Sequence, residues 1–105
     1  MRKTDKKIEN RIIKALTQAC ESSLDKVDGF VWLSHECNFK RFPQSLIVPC
    51  YFINQEKRDD PASQKILTHN ILNNLKTQEI IISQNQIQFL VDPKSITNHK
   101  ISRVL

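Results

Sequence analysis

A chain of 105 residues with 39% hydrophobic content can build one domain around a single core, but not two ordinary ones. It has nothing near the roughly 18 consecutive apolar residues of a membrane span, and its charged N-terminus runs into an amphipathic pattern, so a soluble, unexported protein with no membrane partner is expected. The net charge of +5 sits at the two ends: residues 1–14 hold six basic and two acidic side chains, and residues 93–105 hold Lys94, Lys100 and Arg103 with no acid, which leaves the body slightly acidic.

In chain order, the first predicted element is a helix from about Asp5 to Leu24. Ile8, Ile12, Leu16, Ala19, Cys20 and Val27 recur near helical spacing on one broad stripe, with Lys3, Lys7, Arg11, Lys14 and Gln18 opposite. Several lysines at a helix N-terminus oppose the macrodipole at a cost of about 0.3 kcal/mol each or more at low salt. Such a basic face suits a phosphate-rich partner or, equally, a plain solvated surface in which Asp5 and Glu9 offset the field. The only glycine, Gly29, falls where helical spacing gives way to alternation, and supplies the freedom for that reversal.

From Phe30 to Phe39 and from Ser45 to Ile53 the chain alternates as two strands of a hairpin. Val31, Leu33, His35, Cys37 and Phe39 share one face with Leu46, Val48, Cys50 and Phe52. The other face carries Phe30, Trp32, Ile47, Tyr51 and Ile53. Pairing Lys40 with Ser45 puts His35 opposite Cys50 and Cys37 opposite Val48. Pro49 cannot donate to a ladder, which predicts an edge strand or a bulge there. After a polar loop, Asp60 and Pro61 read as N-cap and first helical residue of a helix reaching about Lys76. Glu79–Ser83 and Gln86–Val91 then predict a second hairpin around Gln84-Asn85, closed by Asp92-Pro93.

The expected fold is therefore α+β in the order α-β-β-α-β-β: a four-stranded antiparallel sheet with two helices on one face, a single domain over residues 1–92 and a mobile basic tail over 93–105. The helices would leave the Phe30, Trp32, Ile47, Tyr51 and Ile53 face open as a protein interface, unless Ile96, Ile101, Val104 and Leu105 of the tail fold back over it.

Three constellations bear on chemistry. Cys20, Cys37 and Cys50 are an odd number inside apolar patterns, which fits buried thiols in a reducing compartment, hence the cytoplasm. The predicted register gathers His35, Cys37 and Cys50 as weak candidates for a metal or reactive-thiol site, but without Cys-x-x-Cys, a fourth ligand, an acid or an oxyanion feature, neither catalysis nor a cofactor is expected. In the loop Asn38–Gln44, Lys40 and Arg41 stand between Phe39 and Phe42, the pairing of cations and rings by which single-stranded nucleic acids are held. The plainer reading is a wet hairpin loop anchored by its two rings.

The run Gly29-Phe30-Val31-Trp32-Leu33-Ser34-His35, with Asn38-Phe39, Phe42-Pro43-Gln44-Ser45-Leu46, Cys50 and the opening Met1-Arg2-Lys3-Thr4-Asp5-Lys6-Lys7, resembles a family of short bacterial proteins that go under the name Fis family transcriptional regulators. The resemblance covers the N-terminal half, weakens after Ile53, and implies a bacterial cytoplasmic protein. A helix-turn-helix of the Fis type would need a C-terminal helical pair, where this chain predicts strands and a tail. The residues together point to a non-enzymatic regulatory or accessory module contacting nucleic acid or a ribonucleoprotein through Lys3, Lys7, Arg11, Lys14, Lys40, Arg41 and Phe42. The alternatives are a protein-interaction module or homodimer using the Trp32 and Tyr51 face, and a Cys/His metal or thiol protein.

Overall fold

The apolar stripe of the first helix buries Ile12, Ala15, Leu16, Ala19 and Cys20 along α1, Lys3–Leu24, in a computed structural model that describes residues 3–93. The N–H groups of Lys26 and Val27 close onto the Ser23 carbonyl, and Gly29, at φ +83°, turns the chain into β1, Phe30–Leu33. A side chain at Gly29 would meet more than backbone strain, because an ideal Cβ would lie 2.4 Å from Cγ of Lys57. β2, Val48–Phe52, returns antiparallel to β1.

The chain then forms a single helical turn, α2, Gln55–Arg58, capped by Asn54, and the long helix α3, Pro61–Thr77. Asp60 caps α3 as its sequence predicts, accepting from the Ala62 N–H and the Ser63 hydroxyl. Ser63, Leu67, Ile71 and Leu75 repeat at four-residue intervals on the buried side of α3. Leu67, Ile71 and Leu75 join α1, Leu33, Val48, Cys50, Phe52 and Ile87 in one core cluster, so α1 and α3 cover the same face of the sheet. Fully burying a side chain such as Phe52 or Leu67 contributes about 1.5–3 kcal/mol.

The α+β class holds, but the predicted four-stranded antiparallel sheet does not form. Among the described residues the sheet has three strands in the order β1-β2-β3, and β3, Ile87–Val91, runs parallel to β2. Glu79–Ser83 forms no ladder. Helix α3 ends with Glu79 at φ 62° and the Ile80 N–H on the Leu75 carbonyl; Ile80 and Ile82 then plug the core while Ile81 stays 63% exposed. Gln84–Gln86 makes a 3-10 turn, not a hairpin turn, and feeds the chain into β3 on the far side of β2. A helix between two strands permits such a parallel crossover.

Four smaller expectations are also corrected. The strands are shorter than predicted, because Phe39–Arg41 is a 3-10 turn and Ser45–Ile47 leads into β2 with one isolated bridge, Glu36 to Ile47. The register is displaced by two residues: Leu33, not His35, faces Cys50. A bulge between Phe30 and Trp32 turns Phe30 inward, where it meets Phe52 edge-on at 6.0 Å, so Phe30 belongs to the core and not to the open face. Pro49 is central, not at an edge. Its carbonyl accepts from the Ser34 N–H, so its nitrogen also faces β1; the missing donor costs one rung there and leaves the ladder to β3 intact. The tail expected over 93–105, with its Ile96, Ile101, Val104 and Leu105, falls almost wholly outside the described residues.

Candidate functional site

The topology gathers charges that are scattered in sequence. Glu9 lies 3.9 Å from His35, and Asp5 acts on Cys37, so the first half of α1 runs past the end of β1 and the loop that follows. Arg11 reaches the Gln78 carbonyl and lies 3.9 Å from Glu79, which places the C-terminus of α3 at the same end. Lys6, Lys7, Arg11, Lys40, Arg41 and Lys76 thus outnumber the acids of one pole. At the other pole Ile53 donates to the Gly29 carbonyl, Lys57 bonds Asp28, and Asp25, Glu56, Asp59 and Asp60 collect around the start of α3. The molecule is electrically polar along its length.

Lys40 and Arg41 ride on a closely tied loop. Asn38 accepts from the Lys40 N–H at 3.0 Å, and the Ser45 hydroxyl both accepts from the Asn38 N–H and donates to its carbonyl, at 2.9 and 2.7 Å. The Gln86 amide donates to the carbonyls of Pro43 and Leu46 at 2.9 and 2.8 Å, fastening the loop to the entry of β3. Neither Lys40 nor Arg41 has a described side-chain partner, and both are exposed. Lys7 and Lys14 are likewise exposed, on the side of α1 away from the core. Arg11 is committed to α3, and the side chain of Lys3 lies outside the description. Phe39 and Phe42 pack partly against the core, so the loop offers charge with only part of its aromatic surface.

The thiols lie elsewhere, Cys20 and Cys50 in the core and Cys37 at its margin. Cys20 and Cys50 are buried, and burial pushes Cys20 up to about 11 and Cys50 higher still. Cys37, half-buried, is also raised by burial, against a lowering contact from Ser45 at 3.7 Å. With the register displaced, His35, Cys37 and Cys50 do not come together, and no group of three or more His, Cys, Asp or Glu among the described residues could hold a metal.

The sheet face away from the helices presents Trp32 stacked on Tyr51, with centroids 4.1 Å apart and planes within 11°. Leu90 stands beside Tyr51 in register, Ile47 is half-buried, and Ile53, just past β2, is 48% exposed. No helix among the described residues is long and apolar enough to cross a membrane. Comparison with known proteins finds no matching family model, and neither a curated protein nor a solved structure that is significantly similar.

The gathering of the basic side chains could not be read from the sequence, because it depends on where α3 ends. Gln86, which ties the loop, also went unmarked; its only sequence signal is its place three residues after Ser83, as in a capping box.

Proposed function

We propose that this chain is a non-enzymatic binding module that holds nucleic acid, free or within a ribonucleoprotein, against its basic pole through Lys7, Lys14, Lys40 and Arg41. The supporting observation is that these cations are exposed and make no described side-chain contact, while two of them are carried on a loop held by five hydrogen bonds. Lysines without a side-chain partner among the described residues, in a helix whose N-terminal field they oppose, fit a partner that supplies the opposite charge. Arg11 steadies the pole, and Phe42, partly buried, adds an aromatic ring next to Arg41 in the chain. The resemblance of the N-terminal half to short bacterial proteins suggests the bacterial cytoplasm and a regulatory or accessory role.

Recognition of this kind is dominated by phosphate contacts, so affinity for a single strand should fall with salt at a log–log slope of about −3 for four contacts. Fluorescence anisotropy with labelled single-stranded RNA, single-stranded DNA and duplex DNA, each at low and near-physiological salt, tests the reading. Saturable binding that survives physiological salt and is lost in Lys40→Glu/Arg41→Glu supports it; affinities that this reversal leaves unchanged refute it. A second reading, a homodimer or protein contact through the stacked Trp32 and Tyr51 with Ile47, Leu90 and Ile53, draws on the apolar makeup of that face. Sedimentation that stays monomeric at high concentration counts against the homodimer.

A further inference from the structure

β3 is an edge strand among the described residues, and its backbone directions can be assigned. The Asp92 N–H donates to the Phe52 carbonyl at 2.9 Å, so by the two-residue period Gln88, Leu90 and Asp92 turn their amides toward β2. Ile87, Phe89 and Val91 then turn theirs outward, at an edge that no described strand covers. The side chains of the same three residues point to the helix side of the sheet, because their register partners Val48, Cys50 and Phe52 lie in the core.

Beside this edge runs an open groove. One wall is α3, through Gln64, Lys65, Thr68 and Leu72, and the floor is Ile87 and Phe89. Leu72 and Phe89 are only partly buried, so α3 leaves this flank of the core half covered. Among the described residues the lining includes Lys65 and His69 but no carboxylate.

An edge with outward amides, an apolar floor beneath it and a helix alongside together specify one class of occupant. We propose that the groove between α3 and β3 takes an extended peptide segment of a partner protein, added as a fourth strand to β3, with an apolar side chain over Phe89 and Leu72 and an acidic residue beside Lys65. Backbone pairing at Ile87 and Phe89 supplies the attachment, and the floor and Lys65 supply the selectivity. This surface is distinct from the basic pole and does not depend on it.

The test uses the full chain, isotope-labelled, and a capped seven-residue peptide of alternating valine and threonine with a glutamate at each end. In the peptide-free chain the Phe89 and Val91 amides should exchange with solvent at least tenfold faster than those of Gln88 and Leu90. Adding the peptide should slow the first pair and shift the Leu72 and Thr68 resonances. A peptide whose central residue is N-methylated should bind at least tenfold more weakly, because it cannot complete the ladder. Lys65→Glu, an exposed change, should weaken the glutamate-ended peptide and favour a lysine-ended one. The proposal fails if Phe89 and Val91 are already protected without peptide, which would mean that the chain covers its own edge. It also fails if no shift appears at millimolar peptide, or if the N-methylated peptide binds equally well.

Discussion

The two poles of the molecule are built from the same kinds of residue and use them differently. At the acidic pole several charges have work in the fold: Asp60 caps α3, Asp28 holds Lys57 across the turn that Gly29 makes, and Arg58 bonds Asp59 at 2.9 Å. At the basic pole Arg11 alone among the highlighted cations is engaged, while Lys7, Lys40 and Arg41 stand in solvent. α3 enters at a pole whose acids suit its macrodipole, and α1 enters at a pole whose lysines oppose it. Charges placed against the local field, with no side-chain partner among the described residues, are the ones the proposed ligand would meet.

This contrast breaks most sharply if the two poles respond alike to charge reversal. Lys7→Glu/Lys40→Glu/Arg41→Glu should lower affinity for single-stranded RNA by about 100-fold at low salt, flatten the salt slope by about 2, and leave thermal stability unchanged or slightly raised. Reversing Lys26, Lys57 and Arg58 at the other pole should change affinity less than threefold. Equal losses would mean that only net charge matters.

The core between the poles should respond to pH without regard to either. Burial raises the Cys20 thiol from about 9 to about 11, with Cys50 shifted the same way, so between these values the folded chain keeps protons that the unfolded chain has released. Stability is then fully present below pH 9 and falls as pH rises toward 11. Denaturant titration at pH 8 and pH 10.5 should show the drop, and Cys20→Ala should reduce it.

Two substitutions at the acidic pole measure how much its residues do for the fold. Gly29→Val puts a branched side chain at φ +83° against Lys57, and should destabilise by about 2 kcal/mol with RNA affinity unchanged. Asp60→Ala removes the α3 cap, and should cost about 1 kcal/mol in denaturant melts, again without effect on binding. If either change weakened binding in proportion to stability, the separation of the poles would be illusory.

The helices α1 and α3, the Gly29 reversal and the shared apolar face of β1 and β2 were legible because each has a local cause: a 3.6-residue stripe, a φ that only glycine takes easily, a two-residue alternation; the single turn of α2, expected as loop, carries no such stripe. Alternation fixes which side of the chain is buried, but not which strand lies next to it. Ile80 and Ile82 alternate with Ile81 as a strand would, yet they plug the core with no ladder, and Ile87–Val91 finds β2 instead. The same gap explains the displaced register, since a slip of two preserves the faces, and explains Pro49, whose missing donor rules out one rung without ruling out a central strand. The sequence offered Lys3, Lys7, Arg11, Lys14, Lys40, Arg41 and Phe42 as binding candidates, but not the Asn38, Ser45 and Gln86 bonds that hold the Lys40–Arg41 loop.

Glu79 joins the two halves of the comparison, because it is the acid of the basic pole that both strains the fold and opposes the proposed ligand. It occupies the left-handed position that ends α3, at φ 62°, where a side chain costs about 1 kcal/mol and glycine costs little. The return from its pairing with Arg11 is small, at 3.9 Å and with the carboxylate almost wholly in solvent. Glu79→Gly should therefore raise stability by about 0.5–1 kcal/mol, less the extra freedom glycine gives the unfolded chain. It also removes a negative charge near the proposed phosphate path, and should tighten RNA binding two- to threefold at low salt and by less at high salt. Glu79→Gln separates the two effects: it should reproduce the gain in binding without the gain in stability. If Glu79→Gly stabilised the fold while neither variant changed affinity, the pole would be basic in composition but would not be the surface that meets the nucleic acid.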